Sequence, residues 1–251
     1  NLRAGGDVNE KTPVLSIDTK AFIESITDDK KLQAVLVGNN MLYVLQENKT
    51  PFYVHAMILN SYIESSWKCI DGGSEIGKHI AKNIRQHGGD IRRNTEVVRI
   101  VVEEGKASSV ELKDGSKLYA KNFISNMHPV RTLDMIESNL IKHAYKNRVK
   151  NLENSCGGFI VNIVFKKDSF KYIKNNYYYH KEGHVWSMTE HTEENWPLSY
   201  CVFFSAASRS PEFAESMTLL AYMKYDEVKQ WEQTFNTVAE ADDRGPEYEA
   251  F

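Results

Sequence analysis

Between Gly72 and Pro129 turn-forming residues recur so regularly that the chain there has few ways to fold. Gly72-Gly73-Ser74 precedes a run in which Ile76, Ile80 and Ile84 fall on one helical face, and Gly88-Gly89 ends it. The Ser74 hydroxyl is expected to cap this helix by accepting from the Gly77 N–H, and Glu75 suits the positive end of the helix dipole. Thr95-Glu96-Val97-Val98-Arg99-Ile100-Val101-Val102 is apolar and β-branched nearly throughout, which reads as a strand covered on both faces. Glu103-Glu104-Gly105 turns it. Asp114-Gly115 then closes a hairpin between residues 109–112 and 117–120. A short strand over 123–125 runs into Asn126-Met127-His128-Pro129.

The flanks differ in character. Ser16-Ile17-Asp18-Thr19 can cap a helix carrying Phe22, Ile23 and Ile26, and Asp28-Asp29 can open a second with Leu32, Val35 and Leu36 on one side. Gly38-Asn39-Asn40 stops that helix, and both are expected to pack on one core. After Pro51, Val54, Met57, Ile58, Tyr62 and Ile63 recur at three- and four-residue intervals, the pattern of a well-buried helix. A basic helix over 141–149 precedes strand candidates at 158–165, 177–179, 200–204 and 219–223, an antiparallel sheet in outline. Residues 226–235 read as helix, and another is expected to start within 240–251. The fold class is therefore α+β, divided as 1–70, mainly helical, 71–134, glycine-punctuated, and 135–251, mainly antiparallel sheet with helices.

Composition removes several functions. With 31 Lys+Arg against 34 Asp+Glu over 251 residues, no net positive charge draws the chain to nucleic acid. Cys69, Cys156 and Cys201 are far apart with no CxxC spacing, so neither a zinc site nor a disulfide framework is expected. His180 and His184 could reach one metal from a turn, but no carboxylate or cysteine completes the set; the expected metal content is none. The charge-free stretches 50–63 and 195–208 are shorter than the ~18 apolar residues that cross a bilayer. There is no P-loop, HExxH, GxSxG or GxGxxG. The nearest imitation, Gly72-Gly73-Ser74-Glu75-Ile76-Gly77, has Ser where dinucleotide phosphates need the second glycine. Tyr177, Tyr178 and Tyr179, with Trp186 and Trp196, line an apolar pocket or belong to the core. The basic run Lys142, His143, Lys146, Arg148 and Lys150 reads as a solvated helix face.

The order Gly-Gly-Ser, amphipathic helix, Gly-Gly-Asp-Ile, Thr-Glu-Val-Val-Arg-Ile, Lys-Asp-Gly-Ser and Lys-Asn-Phe-Ile-Ser-Asn-Met-His-Pro resembles the second part of a known flavin domain. That domain belongs to the phytoene desaturase and retinol saturase branch of the FAD-dependent amine-oxidase superfamily. The resemblance implies a partial FAD-binding domain over 71–134, between two parts of a substrate domain, 1–70 and 135–251. It implies that Val97 meets the adenine end of FAD and that Ser125 and Asn126 lie where the chain leaves the flavin domain. Gly72, Gly73 and Ser74 would mark the crossing between domains. Tyr53, His55, Asn60, Tyr177, Tyr178 and Tyr179 are candidate pocket positions. No catalytic residue is assigned.

The implied parent is a FAD-dependent oxidoreductase that saturates or desaturates C=C bonds of an apolar isoprenoid-, carotenoid- or retinoid-like substrate. Alternatives are an amine or porphyrinogen oxidase of the same superfamily, or a flavin-free module that binds an apolar ligand or a partner. Family members open with a strand, Gly-x-Gly-x-x-Gly and a helix, and close with a further glycine segment. The present sequence has neither and starts at Asn1, so it is expected to be an internal fragment that binds FAD weakly or not at all. NAD(P)H is compatible as electron partner, though no second nucleotide fingerprint marks it. A cytoplasmic location is the expectation, compatible with peripheral membrane contact; oligomeric state is left open.

Overall fold

Capping carboxylates start two helices near the beginning of the described residues. Helix α1, Thr19–Ile26, follows Asp18, whose side chain accepts from the Ala21 N–H; α2, Lys30–Leu36, follows Asp29, which accepts from Lys31 and Leu32. The computed structural model describes residues 15–234 and 244–250, so the readings for Asn1, for 235–243 and for Phe251 lie outside the described residues. It is an α+β structure with antiparallel sheets, in two compact units. One takes the chain up to Gly77 together with the residues from Ser155 onward; the other is Lys78–Asn154.

In the first unit the core gathers Ile23, Val37, Met41, Leu45, Val185, Met188, Cys201 and Tyr222. Phe22 stacks on Phe52 with ring centroids 3.8 Å apart, which joins α1 to α3, Phe52–Glu64. The expected deep burial of α3 is not found: among its residues only His55 is buried, while Met57, Tyr62 and Ile63 are exposed, as are Leu32 and Val35 of α2. Helical periodicity reports that an apolar face exists, and here the core covers only part of it. Four strands make the sheet: β4, Gly157–Val164, β5, Tyr177–His180, β6, Ser199–Ser205, and β7, Ser216–Met223, in the order β4-β7-β6-β5, all antiparallel. Edge strand β4 is largely exposed along its length, whereas β6 and β7 contribute the buried Cys201, Phe204, Ala221 and Tyr222. Asn40 ties the short 3-10 turn Asn40–Leu42 inward by donating from Nδ2 to the Val185 carbonyl at 2.6 Å.

Helix α4, Ser74–Gln86, runs from the first unit into the second. Ser74 is its first helical residue rather than its cap, and the Gly72 and Gly73 carbonyls accept from Glu75 and Ile76. Its end is a Schellman arrangement: Gly88 at φ 78 donates to Arg85, and Gly89 donates to Ile84. Strands β1, Val97–Glu103, β2, Lys106–Leu112, and β3, Lys117–Tyr119, form an antiparallel sheet in that order. Glu104 at φ 50 and Gly105 at φ 77 give the β1–β2 hairpin its tight turn, whose left-handed backbone matches strand twist. Strand β1 is half-buried or exposed at every position, so the reading of a strand covered on both faces is corrected. No strand forms over 123–125, where Ile124 is 98% exposed and no ladder partner is present among the described residues. Helices α5, Pro129–Asp134, and α6, His143–Lys150, complete this unit. Residues 226–234 give only the end of a single turn, α7, Tyr225–Val228, and a 3-10 turn, Lys229–Trp231; α8 is Pro246–Ala250.

Candidate apolar groove

The strand period of two sets which tyrosines face inward. Tyr178 and His180 share the inner face of β5, with Asn176 just before the strand; Tyr177 and Tyr179 point the other way and are 50% and 45% exposed. Tyr179 stacks on Tyr200, and Tyr177 meets Phe204 edge-on. Inside, Tyr178 joins Val35, Leu36, Gly38 and Asn39 from α2 and the loop after it, and Leu59 and Tyr62 from α3, around a cavity of about 430 Å³. That size suits a small organic ligand, and none of these side chains is charged.

Polar atoms without partners run along this face of the sheet. His180 Nδ1 and, opposite it in the ladder, Ser199 Oγ are buried without a hydrogen bond, while the Tyr178 phenol is within hydrogen-bonding reach of the Asn176 amide and of Tyr62. His180 Nε2–H donates to the Gly38 carbonyl at 2.9 Å, which leaves Nδ1 as the acceptor. Burial lowers the His180 pKa, so the ring is neutral near pH 7. Burial likewise pushes the Tyr178 phenol up to about 12, so it stays protonated and can donate. Cys201, opposite Tyr178, is pushed up to about 11 and is therefore a packed thiol rather than a nucleophile.

A second cavity of about 390 Å³ lies beside Lys166, Lys167, Asp168, Arg209 and Glu215. Most of its charges are paired: Arg209 with Glu215, and Asp168 with Lys167 at 4.0 Å, Asp168 also accepting from Ser210. The uncharged groove, with unmet hydrogen-bonding groups beside it, is the stronger candidate for a ligand.

The remaining residues singled out by sequence lie elsewhere. His55 is buried, and its Nδ1 receives the Tyr43 hydroxyl at 2.7 Å. Tyr53 is half-buried on α3, and Asn60 is exposed and donates to Glu64. His184 meets Ser187, and no metal-binding cluster is found among the described residues. Val35, Leu36 and Tyr62 were legible as apolar or aromatic helix positions and Leu59 was not singled out; nothing in the sequence distinguished a groove wall from a core face.

In the second unit, the register of β1 slips between Val97 and Arg99, a bulge that leaves backbone groups outside the ladder. Ser125 is engaged in its own turn, with its hydroxyl against Thr132 and accepting from Met127, and Asn126 is exposed beside it. Gly72, Gly73 and Gly77 have open space where a Cβ would stand, so nothing among the described residues forms a close phosphate cradle around them.

Fold and groove together define an α+β chain with an uncharged groove lined mainly by apolar and aromatic side chains. No family model matches the chain. Over 265 residues, 96% of the chain and 42% of the relative, it is 24% identical to all-trans-retinol 13,14-reductase of Homo sapiens. It is 41% identical over 81 residues, 30% of the chain and 16% of the relative, to a neurosporene-forming phytoene desaturase of Rhodobacter capsulatus. It is 26% identical over 121 residues, 42% and 24% of the respective lengths, to a 4,4'-diapolycopene-forming 4,4'-diapophytoene desaturase of Methylomonas sp. The chain's homologues are thus of the phytoene desaturase and retinol saturase-like branch of the FAD-dependent amine-oxidase superfamily, at low identity. It spans less than half the length of these relatives.

Proposed function

We propose that this chain is the substrate-binding part, with a portion of the flavin domain, of a FAD-dependent oxidoreductase acting on C=C bonds of an apolar isoprenoid-, carotenoid- or retinoid-like molecule. The observation that carries this reading is similarity over 96% of the chain to a retinol 13,14-reductase. In this reading residues 1–70 and 135–251 make the substrate domain and 71–134 the partial FAD-binding domain. Gly72, Gly73 and Ser74 mark the crossing, the Val97 backbone meets the adenine end, and Ser125 and Asn126 lie where the chain leaves the flavin. Bound FAD supplies hydride transfer to or from a substrate carbon, with NAD(P)H as a compatible electron partner. Val35, Leu36 and Leu59 exclude water from the hydrocarbon, and the neutral Tyr178 phenol supplies a donor without a charge.

The uncharged lining offers an amine no carboxylate, which weighs against the amine-oxidase alternative. A second reading is a flavin-free apolar-ligand module, which the uncharged groove would serve without a flavin. A cytoplasmic location with peripheral membrane contact belongs to the first reading. No helix among the described residues is long and apolar enough to cross a membrane.

The test uses the longer protein encoded around this chain, incubated without oxygen with either all-trans-retinol and reduced FAD or phytoene and oxidised FAD. Gain or loss of two hydrogens by the substrate, measured by mass spectrometry and matched by the opposite change in flavin colour, is expected for one of the pairs. Unchanged substrate in both, with FAD demonstrably bound, would overturn the assignment. Purification of the longer protein without FAD would favour the flavin-free module.

A further inference from the structure

Sheet edges invite pairing with another chain unless they are short, charged, bulged or covered. Three of the four edge strands here carry such protection. Strand β5 is four residues long and runs into Lys181, and β3 is three residues long and begins at Lys117. Strand β1 is bulged between Val97 and Arg99, and Ile100 beside the bulge already donates to the Met135 carbonyl. Strand β4 has none of these features: its eight residues, Gly157–Val164, contain no charge and no proline, and they pair with β7 without a register shift. Ile160 is 53% and Val164 79% exposed. The Phe165 N–H donates to the Glu215 carbonyl, so antiparallel alternation turns the backbone groups of Phe159, Val161 and Ile163 toward β7. Those of Gly158, Ile160, Asn162 and Val164 then face the open side. We propose that a second copy of this chain pairs there, β4 antiparallel to β4, joining two four-stranded sheets across a two-fold axis.

A two-fold axis perpendicular to the sheet keeps each face on its own side, and it places one residue opposite its own copy. With Val161 on the axis, Phe159 meets Ile163, Ile160 meets Asn162, and Gly158 leaves room for Val164. All four outward residues are then bonded, giving about eight N–H···O bonds. The pairing desolvates no charged side chain of the strand. Lys166 and Lys167 follow β4 and fix the sense: parallel pairing would set the lysines of both copies side by side. Antiparallel pairing separates them by about 30 Å, well beyond the ~8 Å screening length. The inference stands apart from the identity of any ligand in the groove.

Sedimentation velocity of the 251-residue chain tests it, with a shift from monomer to dimer expected between about 1 and 100 μM. The Ile160 N–H points away from β7, so Ile160→Pro spares the β4–β7 ladder but removes two bonds from the dimer by symmetry. It and Val164→Lys should each raise the dissociation constant about tenfold or more, with the urea midpoint showing that each variant is folded. Ile80→Lys, on the exposed apolar face of α4, should leave dimerisation unchanged. In a Cys69→Ser background, Val161→Cys should form an intermolecular disulfide under mild copper–phenanthroline oxidation, because a non-hydrogen-bonded pair holds its Cα atoms about 4.5 Å apart. A chain that stays monomeric at 100 μM, a dimer broken by Ile80→Lys and not by Val164→Lys, or a dimer without the Val161→Cys crosslink overturns the inference. The longer protein encoded around the chain is measured alongside and should also dimerise; a monomeric longer protein shows β4 covered from within and overturns it as well.

Discussion

Replacing Asn40 by Ala probes the contact that anchors the 3-10 turn just after the groove-lining Gly38 and Asn39. Asn40 is fully buried, and its Nδ2 donates to the Val185 carbonyl at 2.6 Å, across 145 residues of sequence. The truncation removes that bond and leaves the Val185 carbonyl, in a residue 6% exposed, without this donor. An unpaired buried carbonyl costs about 1–3 kcal/mol. Part of this is returned, because Asn40 Oδ1 is itself buried without a partner and its removal ends that penalty. A small void adds a fraction back, so the net loss is about 1–2 kcal/mol. For a chain of this size that corresponds to a melting temperature lower by roughly 2–8 °C. Urea unfolding followed by tryptophan fluorescence measures it, with Asn39→Ala as the control, since Asn39 makes no capping bond with its side chain. If Asn40→Ala unfolds at the same urea concentration as Asn39→Ala, the Val185 contact does not hold this segment and the reasoning fails.

Burial lowers the pKa of both His55 and His180 below the usual 6.5. The unfolded chain therefore takes up protons first as pH falls. Stability from these groups is whole above about pH 6.5 and is lost progressively below it, and His55→Gln should flatten the decline in urea midpoint between about pH 7 and pH 5. Gly115 sits at φ 84 with open space around it, so Gly115→Ala should cost about 1 kcal/mol through backbone strain alone, whereas Gly73→Ala, in equally open space, should change the urea midpoint by less than about 0.5 kcal/mol equivalent. Trp196 Nε1 donates to the Tyr222 carbonyl at 2.7 Å, and Trp196→Phe should lower stability by about 1–2 kcal/mol in the same assay; no loss would mean that the carbonyl finds another donor. Titration of FAD into the 251-residue chain should show weak binding or none, because the residues present offer no pyrophosphate cradle; one tightly bound flavin per chain would contradict this.

Local chemistry was the most legible part of the fold. Asp18 and Asp29 cap helices, Gly88-Gly89 ends one, and Glu104-Gly105 and Asp114-Gly115 turn hairpins, because each of these jobs depends on only a few adjacent residues. The four strands around Phe159, Tyr178, Phe203 and Leu220 were visible for a similar reason, since aromatic and β-branched runs suit a pleated surface. Burial was not legible. Val35, Ile63 and Ile76 lie on apolar helical faces that looked like core in the sequence and are exposed in the structure. Which tyrosine of 177–179 enters the groove depended on the strand's phase, which three consecutive tyrosines do not reveal. The groove wall from Leu59 and Tyr62 required knowing how α3 lies against α2 and β5, a tertiary fact with no local signal.

The central claim, that an apolar isoprenoid-like molecule lies between α2, α3 and β5, is tested most directly by photo-crosslinking. A polyprenyl alcohol carrying a diazirine along its chain would be irradiated with the protein, and the labelled peptides mapped by mass spectrometry. The account predicts label on Val35, Leu36, Leu59, Tyr62 or Tyr178, competed away by excess all-trans-retinol. Label confined to the exposed β4 strand or to the cavity beside Lys166 and Arg209, and unaffected by competitor, would contradict it.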